Sequence, residues 1–255
     1  MSVLKNQADI DVLVKCGSYL HQIKTQLMQE IKIGKTPLYI DNLAKDLIFK
    51  VGGSPSFMTV KGYKWATCIT VNDEVVHGVP DNDPFLEGDI VSLDIGLLCK
   101  GWHTDTSYTK YLKLETRNSK LENEVEKFLD IGKLALKKAI VQVKPGNRIG
   151  HISHAIQETV ENAGYSVVKT LVGHGIGNNL HESPYIPGIL TKSIAKTPEI
   201  KVGMALAIEV IYNMGKPQIV YKNDDNWTLA TADGSLSGLF EETVLVTDKG
   251  SQVLT

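Results

Sequence analysis

The spacing of apolar residues predicts two helices at the start of the chain. From residue 7 to about residue 31, apolar side chains recur at every third or fourth position, which is typical of one buried helix face. A second helix should begin at Thr36, because threonine followed by Pro37 is typical of an N-cap and the first helical position. This helix should end before Gly52-Gly53, since glycine commonly follows a helix.

Short apolar segments typical of β-strands come next. Between residues 66 and 112 the predicted strands are CITV, EVVHGV, DIVSLDIGLL and WHTDTSYTKYL. Helical spacing returns over about 118–143 and 148–163, and strand-like segments follow: SVVKTLV, MALAIEVIY, QIVY, WTLAT and GLFEETVLVTD. This order of helices, strands, helices and strands predicts two α+β halves.

A short internal repeat agrees with a division into two halves. Gly88 precedes the strand that contains Asp94, and Gly203 precedes the strand that contains Glu209. In both segments the carboxylate lies six residues after the glycine. Because glycine before a strand is common, chance and duplication both account for so short a match.

Composition and charge exclude several classes of protein. The chain has 255 residues, a formal net charge of -2 and no long basic run, so its charge favours neither nucleic acid nor an anionic membrane as a partner. Its three cysteines, Cys16, Cys68 and Cys99, are far apart, which predicts a reducing compartment without a disulfide framework or zinc finger. Neither a signal peptide nor a membrane-spanning apolar run is found. We therefore expect a soluble cytoplasmic protein.

Four acidic residues lie inside otherwise apolar, strand-like segments: Asp94, Asp105, Glu209 and Glu241. The turn at 99–101 should bring Asp94 and Asp105 opposite each other or diagonally adjacent, depending on whether it contains a bulge. One such acid most often faces solvent, but four of them favour a shared buried site. Alternation along the last strand allows only one of Glu241 and Glu242 to point inward.

The acidic cluster predicts a metal site. Buried carboxylates must be paired or bind metal, and no lysine or arginine stands at a matching inward position in these strands. Oxygen ligands with a histidine suit manganese, iron, cobalt or zinc, and carboxylate-rich sites often hold two ions. Two divalent ions would balance the charge of four carboxylates.

Three histidines lie in glycine-rich or β contexts and are candidates for this site: His77 in EVVHGVP, His174 in GHGIG and His181 in LHESP. A lone histidine is more often structural than a ligand, but the glycines around His174 allow the backbone to approach a site closely. His103 could share the face of Asp105, outside the ligand set. The remaining histidines lie on predicted helices and should be at the surface: His21, His151 and His154.

Taken in order, these segments resemble the type I methionine aminopeptidases, metallopeptidases with the pita-bread fold. The resemblance covers nearly the whole chain and rests on VNDEVVHGVPD, EGDIVSLDIG, KGWHTDTS, VGHGIGNNLHESP, AIEV and WTLATADGSLSGLFEETVLVTD. It implies a site for two divalent metal ions with these ligands: Asp94, Asp105, His174, Glu209 and Glu241. It therefore favours Glu241 over Glu242.

The resemblance also implies a fold, which is an antiparallel sheet with pseudo-twofold related halves and helices packed on its outer face. We expect a single domain of residues 1–255. It would have an N-terminal helical segment of about 1–52 and catalytic halves of about 53–145 and 146–255.

The activity implied is removal of the N-terminal methionine from nascent polypeptides when the next residue is small. Glu209 would carry the proton, His181 would stabilise the oxyanion and His77 would contact the substrate. The methionine pocket would be lined by Phe57, Tyr63, Cys68 and Trp227. The resemblance implies a monomer and leaves open a contact with the ribosome near the exit tunnel.

Three positions depart from the family pattern. Val60 and Leu180 stand where the family has tyrosine and phenylalanine, and Val210 stands where it has proline. These changes leave two alternatives open, an aminopeptidase with shifted specificity for the N-terminal residue and a catalytically silent pita-bread binding protein. The intact set of five ligands argues against the silent protein.

Overall fold

A computed structural model of the chain describes residues 6–113, 120–222 and 224–255. The α-helices in these ranges are α1 (Gln7–Glu30), α2 (Pro37–Lys50), α3 (Lys120–Val141) and α4 (Ile149–Asn162). The strands before α3 are β1 (Ser54–Pro55), β2 (Thr67–Val71), β3 (Glu74–Val76), β4 (Ile90–Cys99) and β5 (Trp102–Tyr111). Those after α4 are β6 (Ser166–Val167), β7 (Val172–Gly175), β8 (Glu182–Pro187), β9 (Ala205–Asn213), β10 (Ile219–Tyr221), β11 (Leu229–Thr231), β12 (Ser237–Thr247) and β13 (Gly250–Val253).

The N-terminal helices begin where the sequence predicts, and side-chain caps explain both starts. The amide of Asp9 donates to Asn6 Oδ1 at 3.0 Å at the start of α1. At the start of α2, the amide of Tyr39 donates to Thr36 Oγ1 at 3.1 Å. The predicted start of the third helix, near 118, lies outside the described residues.

Most strands occupy one large antiparallel sheet. Its strand order is β1-β4-β5-β12-β9-β7-β8, with β2 on β4, β6 on β9 and β13 on β12. The hairpin β4–β5 and the pair β9–β12 meet side by side along β5 and β12. A separate small sheet has the order β10-β11-β3.

Each pair of helices packs against one part of this sheet. Leu20 and Leu27 of α1 and Ile40 of α2 share a buried cluster with apolar residues of β4. Phe128 of α3 and Ile152 of α4 share another cluster with β9 and β12. The predicted α+β class, with an antiparallel sheet and packed helices, is confirmed. No helix in the described part of the chain is long and apolar enough to cross a bilayer.

The cysteines correct one expectation. Cys16 of α1 and Cys99 of β4 form a disulfide with a Cα–Cα distance of 5.8 Å, so the prediction of a chain without disulfides is wrong for this pair. The pairing joins residues 83 positions apart and depends on how α1 docks on the sheet, which cysteine spacing does not reveal. Cys68 is free and buried.

Candidate metal centre

The acidic residues lie in neighbouring rows across the sheet. Asp94 pairs with Ser107, Ser107 with Glu241, and Glu241 with Glu209, so one row crosses four strands. Asp105 lies two residues before Ser107 and therefore belongs to the next row on the same face. His174 joins that second row, because it pairs with Ala207, two residues before Glu209.

The β4–β5 hairpin settles the relation between its two aspartates. The pairing is continuous from Ile90–Tyr111 to Cys99–Trp102, without a bulge. Asp94 lies opposite Ser107 and Asp105 lies opposite Gly96, so the two acids are diagonal neighbours. The diagonal arrangement, one of the two left open by the sequence, places both carboxylates on the same face.

Three predicted ligands come together most closely. Asp105, His174 and Glu241 each offer one ligand atom within 4.8 Å of the others. His174 Nδ1 donates to the carbonyl oxygen of Gly175 at 2.9 Å, which leaves Nε2 as the ring atom with a free lone pair. That Nε2 lies 3.4 Å from Glu209 Oε1. The imidazole is therefore held in the orientation and tautomer that a metal ligand needs.

Burial makes the acidic cluster strongly unfavourable as a set of bare charges. Desolvation, together with the neighbouring acids, raises the pKa of Asp94, Glu209 and Glu241 well above the usual range. Desolvation also raises the pKa of Asp105 to about 7. Desolvation and the nearby His181 lower the pKa of His174 to about 4, so its imidazole is neutral at pH 7.

The residues present fit a divalent cation. Among the residues that the structure describes, no hydrogen-bond donor reaches Asp94 Oδ1 or Glu241 Oε1, although both atoms are buried. Buried acceptors of this kind are costly unless a cation or a donor satisfies them. A metal ion among these oxygens and His174 Nε2 would satisfy them and offset the repulsion between the carboxylates.

A cavity of about 420 Å³ opens above the acidic cluster. Every residue that the sequence predicts as a ligand, catalytic group or pocket wall lines this cavity: Phe57, Tyr63, Cys68, His77, Asp94, Asp105, His174, His181, Glu209, Trp227 and Glu241. Val60 and Leu180, the two departures from the family pattern, line it as well. The cavity therefore combines an acidic floor with a largely apolar wall.

The apolar wall is held by aromatic contacts and hydrogen bonds. Tyr63 and Trp227 meet edge to face with ring centroids 5.1 Å apart. The Tyr63 hydroxyl donates to the carbonyl oxygen of Thr67 at 2.8 Å. Cys68 pairs across the strands with Asp94, and burial raises the pKa of its thiol. These links hold the wall close to the acidic floor.

His77 and His181 are accessible from the cavity. The rings of His181 and the buried His174 meet edge to face with centroids 4.4 Å apart. His77 follows β3 with a left-handed φ of 58°. Desolvation lowers the pKa of both His77 and His181, and His181 lowers that of His77 further. Both rings are therefore neutral at neutral pH, and each offers one N–H donor.

Ser107 is a residue of this region that sequence reasoning missed. It lies between Asp94 and Glu241 in the cross-sheet row, and its buried hydroxyl has no hydrogen-bond partner within the described ranges. Its position two residues after Asp105 could have revealed it, because alternate strand residues share a face.

The other histidines do not line the cavity. His103 is buried and forms a hydrogen bond through Nδ1 with Ser56 Oγ. His21 and His154 are exposed, as predicted. His151 is half-buried instead, because it accepts a hydrogen bond from the amide of Arg148 at 3.0 Å at the start of α4.

The fold and the acidic site are those of a metallopeptidase. Residues 12–248 match Metallopeptidase family M24, and the chain belongs to this family. Membership implies that the protein binds divalent metal, and the acidic cluster is the candidate site.

The names of individual relatives describe a more specific activity than the name of the family does. The chain is 36% identical over 255 residues to methionine aminopeptidase 1 of Bacillus subtilis (strain 168), covering 100% of this chain and 99% of the relative. It is 37% identical over 255 residues to the methionine aminopeptidase of Clostridium perfringens, with the same coverage. The crystal structure of methionine aminopeptidase from Thermotoga maritima is similar with a TM-score of 0.93 and 37% identity, covering 100% of this chain and 99% of that one.

A more distant structure shows the fold alone. The prolidase of Pyrococcus horikoshii OT3 is similar with a TM-score of 0.76 at 22% identity, and the match covers 100% of this chain and 64% of the prolidase. The predicted pita-bread fold is therefore confirmed.

Proposed function

We propose that the chain is a metal-dependent aminopeptidase that removes the N-terminal methionine from nascent polypeptides whose second residue is small. The observation that carries this proposal is the set of buried carboxylates, two with unpartnered oxygens among the described residues, at the floor of an apolar cavity. The named relatives at 36% and 37% identity support the same activity.

We assign two divalent ions to this centre, held by Asp94, Asp105, His174, Glu209 and Glu241. The spread of the ligands across five strands supports two positions, because Asp94 on β4 and His174 on β7 lie at opposite ends of the set, with Asp105, Glu241 and Glu209 on the three strands between them. The mixture of carboxylate oxygens and one imidazole suits cobalt, manganese, iron or zinc. When bound, such ions polarise a carbonyl and lower the pKa of water, which supplies the nucleophile for hydrolysis.

The histidines at the cavity account for the other roles. His181 is neutral and accessible, so its N–H can donate to the carbonyl oxygen of the scissile bond as negative charge develops there. To His77, which also lines the cavity, we assign a contact with the peptide backbone of the substrate. Glu209 lies opposite Glu241 at the cavity floor, and we assign to it the transfer of a proton to the departing amine.

The apolar wall accounts for the preference for methionine. Phe57, Tyr63, Cys68 and Trp227 provide aromatic and sulfur contacts for an unbranched thioether chain. We assign the limit on the size of the second residue to the region near the metals and His77. We further propose that the protein acts as a monomer in the cytoplasm, where nascent chains are available.

The test is a peptide assay with the purified chain. After chelation, Mn²⁺, Co²⁺, Fe²⁺ or Zn²⁺ is added back separately, and release of methionine from Met-Ala-Ser is followed by mass spectrometry. We expect metal-dependent release, no release from N-acetylated Met-Ala-Ser, and little release from Met-Leu-Ser. Glu241→Gln should lose activity, whereas Lys133→Met, on the solvent-exposed face of α3, should not. Absence of methionine release with metal demonstrably bound would contradict the proposed function.

A further inference from the structure

A buried polar cluster lies on the reverse side of the strands that carry two of the ligands. It consists of Lys24 on α1, Thr106 on β5, Glu242 on β12, and Thr255, and is called the back cluster. Lys24 is only 7% exposed, and its Nζ donates to Thr106 Oγ1 and to Glu242 Oε1, each at 2.8 Å. Thr255 Oγ1 donates to the other oxygen of Glu242 at 2.7 Å.

The strand residues of the back cluster are direct sequence neighbours of two predicted metal ligands. Thr106 follows Asp105, and Glu242 follows Glu241. Because neighbouring strand residues point to opposite faces, each member of the back cluster on a strand lies directly behind a ligand. Neither Lys24 nor Glu242 lines the cavity, so neither side chain is placed to touch metal or substrate.

Side chains hold β5 and β12 together at this point. Direct pairing of these two strands involves Glu241 with Ser107 and Glu242 with Thr106. In addition, Thr106 Oγ1 donates to the carbonyl oxygen of Glu241 at 2.8 Å. The separation of the two strands therefore depends on where the Thr106 hydroxyl is held, and Lys24 is one of the groups that hold it.

The hydroxyl of a second threonine, Thr243, also joins β12 to β5 through hydrogen bonds. The amide of Asp105 donates to Thr243 Oγ1 at 2.9 Å, and Thr243 Oγ1 donates to the carbonyl oxygen of Asp105 at 2.7 Å. The amide of Thr243 in turn donates to Thr255 Oγ1 at 2.9 Å. Thr255 therefore links Glu242 to the backbone that carries Asp105 and Glu241.

We propose that the Lys24–Glu242 ion pair is a positioning element that, through Thr106 and Thr255, sets the separation and orientation of Asp105 and Glu241 for metal binding. The inference rests on the proposed function, because it assumes that these two acids are ligands. It gives the pair a role beyond attaching α1 to the sheet. Groups that orient metal ligands commonly contribute to metal affinity without touching the metal.

The experiment compares metal binding by purified, chelated variants. Glu242→Gln keeps the shape of the side chain without its charge, Lys24→Met keeps the apolar stem without the donor, and Thr255→Val removes only the hydroxyl. Lys133→Met is the matched control, because Lys133 forms an exposed ion pair with Asp130 at 3.1 Å on α3. Calorimetric titration with Mn²⁺ and the visible absorption spectrum of the Co²⁺-loaded proteins are the readouts.

We expect each back-cluster variant to bind Mn²⁺ about 10- to 100-fold more weakly than the wild type. The Co²⁺ spectrum should also change, since the ligand geometry changes. Lys133→Met should match the wild type in both measurements. Wild-type Mn²⁺ affinity and an unchanged Co²⁺ spectrum in folded back-cluster variants would overturn the inference.

A double variant separates positioning from stability. Lys24→Met combined with Glu242→Leu leaves no unpaired buried charge, so the apo protein should melt near the wild-type temperature even where a single variant is unstable. Its Mn²⁺ affinity should nevertheless stay low. Recovery of affinity together with stability would show that the pair only anchors α1. If the wild type itself binds no Mn²⁺, both the proposed metal centre and this inference are wrong. If the wild type and all the variants bind Mn²⁺ equally tightly, only this inference is wrong.

Discussion

Removal of metal should make the free energy of unfolding fall as pH rises from 6.5 to 8. The folded apo protein holds protons on its buried acids, because desolvation raises the pKa of Asp105 from 3.8 to about 7 and raises those of Asp94, Glu209 and Glu241 well above the usual range. The unfolded chain has released these protons well below pH 6.5. Since the folded state binds more protons in this window, raising the pH favours unfolding.

The magnitude follows from the same pKa values. For Asp105, a rise from 3.8 to about 7 corresponds to a destabilisation of about 4 kcal/mol once the group is ionised. His174 acts in the opposite direction, because its pKa falls from 6.5 to about 4 and stability therefore rises with pH between those values. The opposing histidine contribution declines above pH 6.5 as the unfolded imidazoles lose their protons, so the acids dominate the upper part of the range, at about 1.4 kcal/mol per pH unit for each one still protonated. That slope corresponds to a decrease of about 3–6 °C in Tm per pH unit for a chain of this length.

The assay is differential scanning calorimetry of chelated protein at several pH values between 6.5 and 8, with metal loss verified by elemental analysis. The Asp105→Asn variant removes one of the titrating groups and should show a shallower slope. Saturating Mn²⁺ should raise Tm and remove the decrease, because binding to the ionised site stabilises the folded state by mass action. A Tm of the chelated protein that is flat or rises over this range would refute the argument from buried, repelling acids.

Two further predictions concern the cavity wall. His181→Ala should keep its metal and its fold but lose about 100-fold or more in kcat, because one oxyanion donor is removed. Steady-state kinetics on Met-Ala-Ser measure this loss. Loss of metal from that variant would instead make His181 a ligand. Val60 and Leu180 should widen the pocket, so that peptides beginning with leucine or norleucine are cleaved at a measurable fraction of the methionine rate, because one methylene contributes only about 1–3 kcal/mol of discrimination. Val60→Tyr should sharpen the preference, and strict methionine specificity of the wild type would contradict the widened pocket.

The four acids could be singled out from the sequence because their chemistry conflicts with their surroundings. An acid within a run such as MALAI is unfavourable as a strand residue, so Asp94, Asp105, Glu209 and Glu241 stand out without any structure. Glu209 and Glu241 join the other two acids through the long-range pairing of β12 with β9 and β5. The proximity of Asp94 and Asp105, by contrast, follows from short-range rules, namely strand alternation and one tight hairpin. The N-terminal helices were predictable for the same reason, since Asn6 and Thr36 act within one turn of the chain.

Features that depend on long-range packing were not predictable. The strand β8 was missed because it contains Pro184 and Pro187, which disfavour a strand assignment in sequence. The Cys16–Cys99 disulfide joins a helix to a strand 83 residues away. Lys24 resembles any solvated helix lysine until the docking of α1 buries it against Glu242. In each case the deciding contact comes from a segment that is distant in sequence.

The central claim is that the buried acids and His174 form one metal centre, and anomalous X-ray scattering from crystals soaked in Mn²⁺ tests it most directly. We expect two anomalous peaks at the floor of the cavity, each within about 2–2.5 Å of carboxylate oxygens among Asp94, Asp105, Glu209 and Glu241. One of the peaks should lie next to Nε2 of His174. Fully occupied Mn²⁺ peaks elsewhere on the protein, with none between these carboxylates, would contradict a metal centre at these residues.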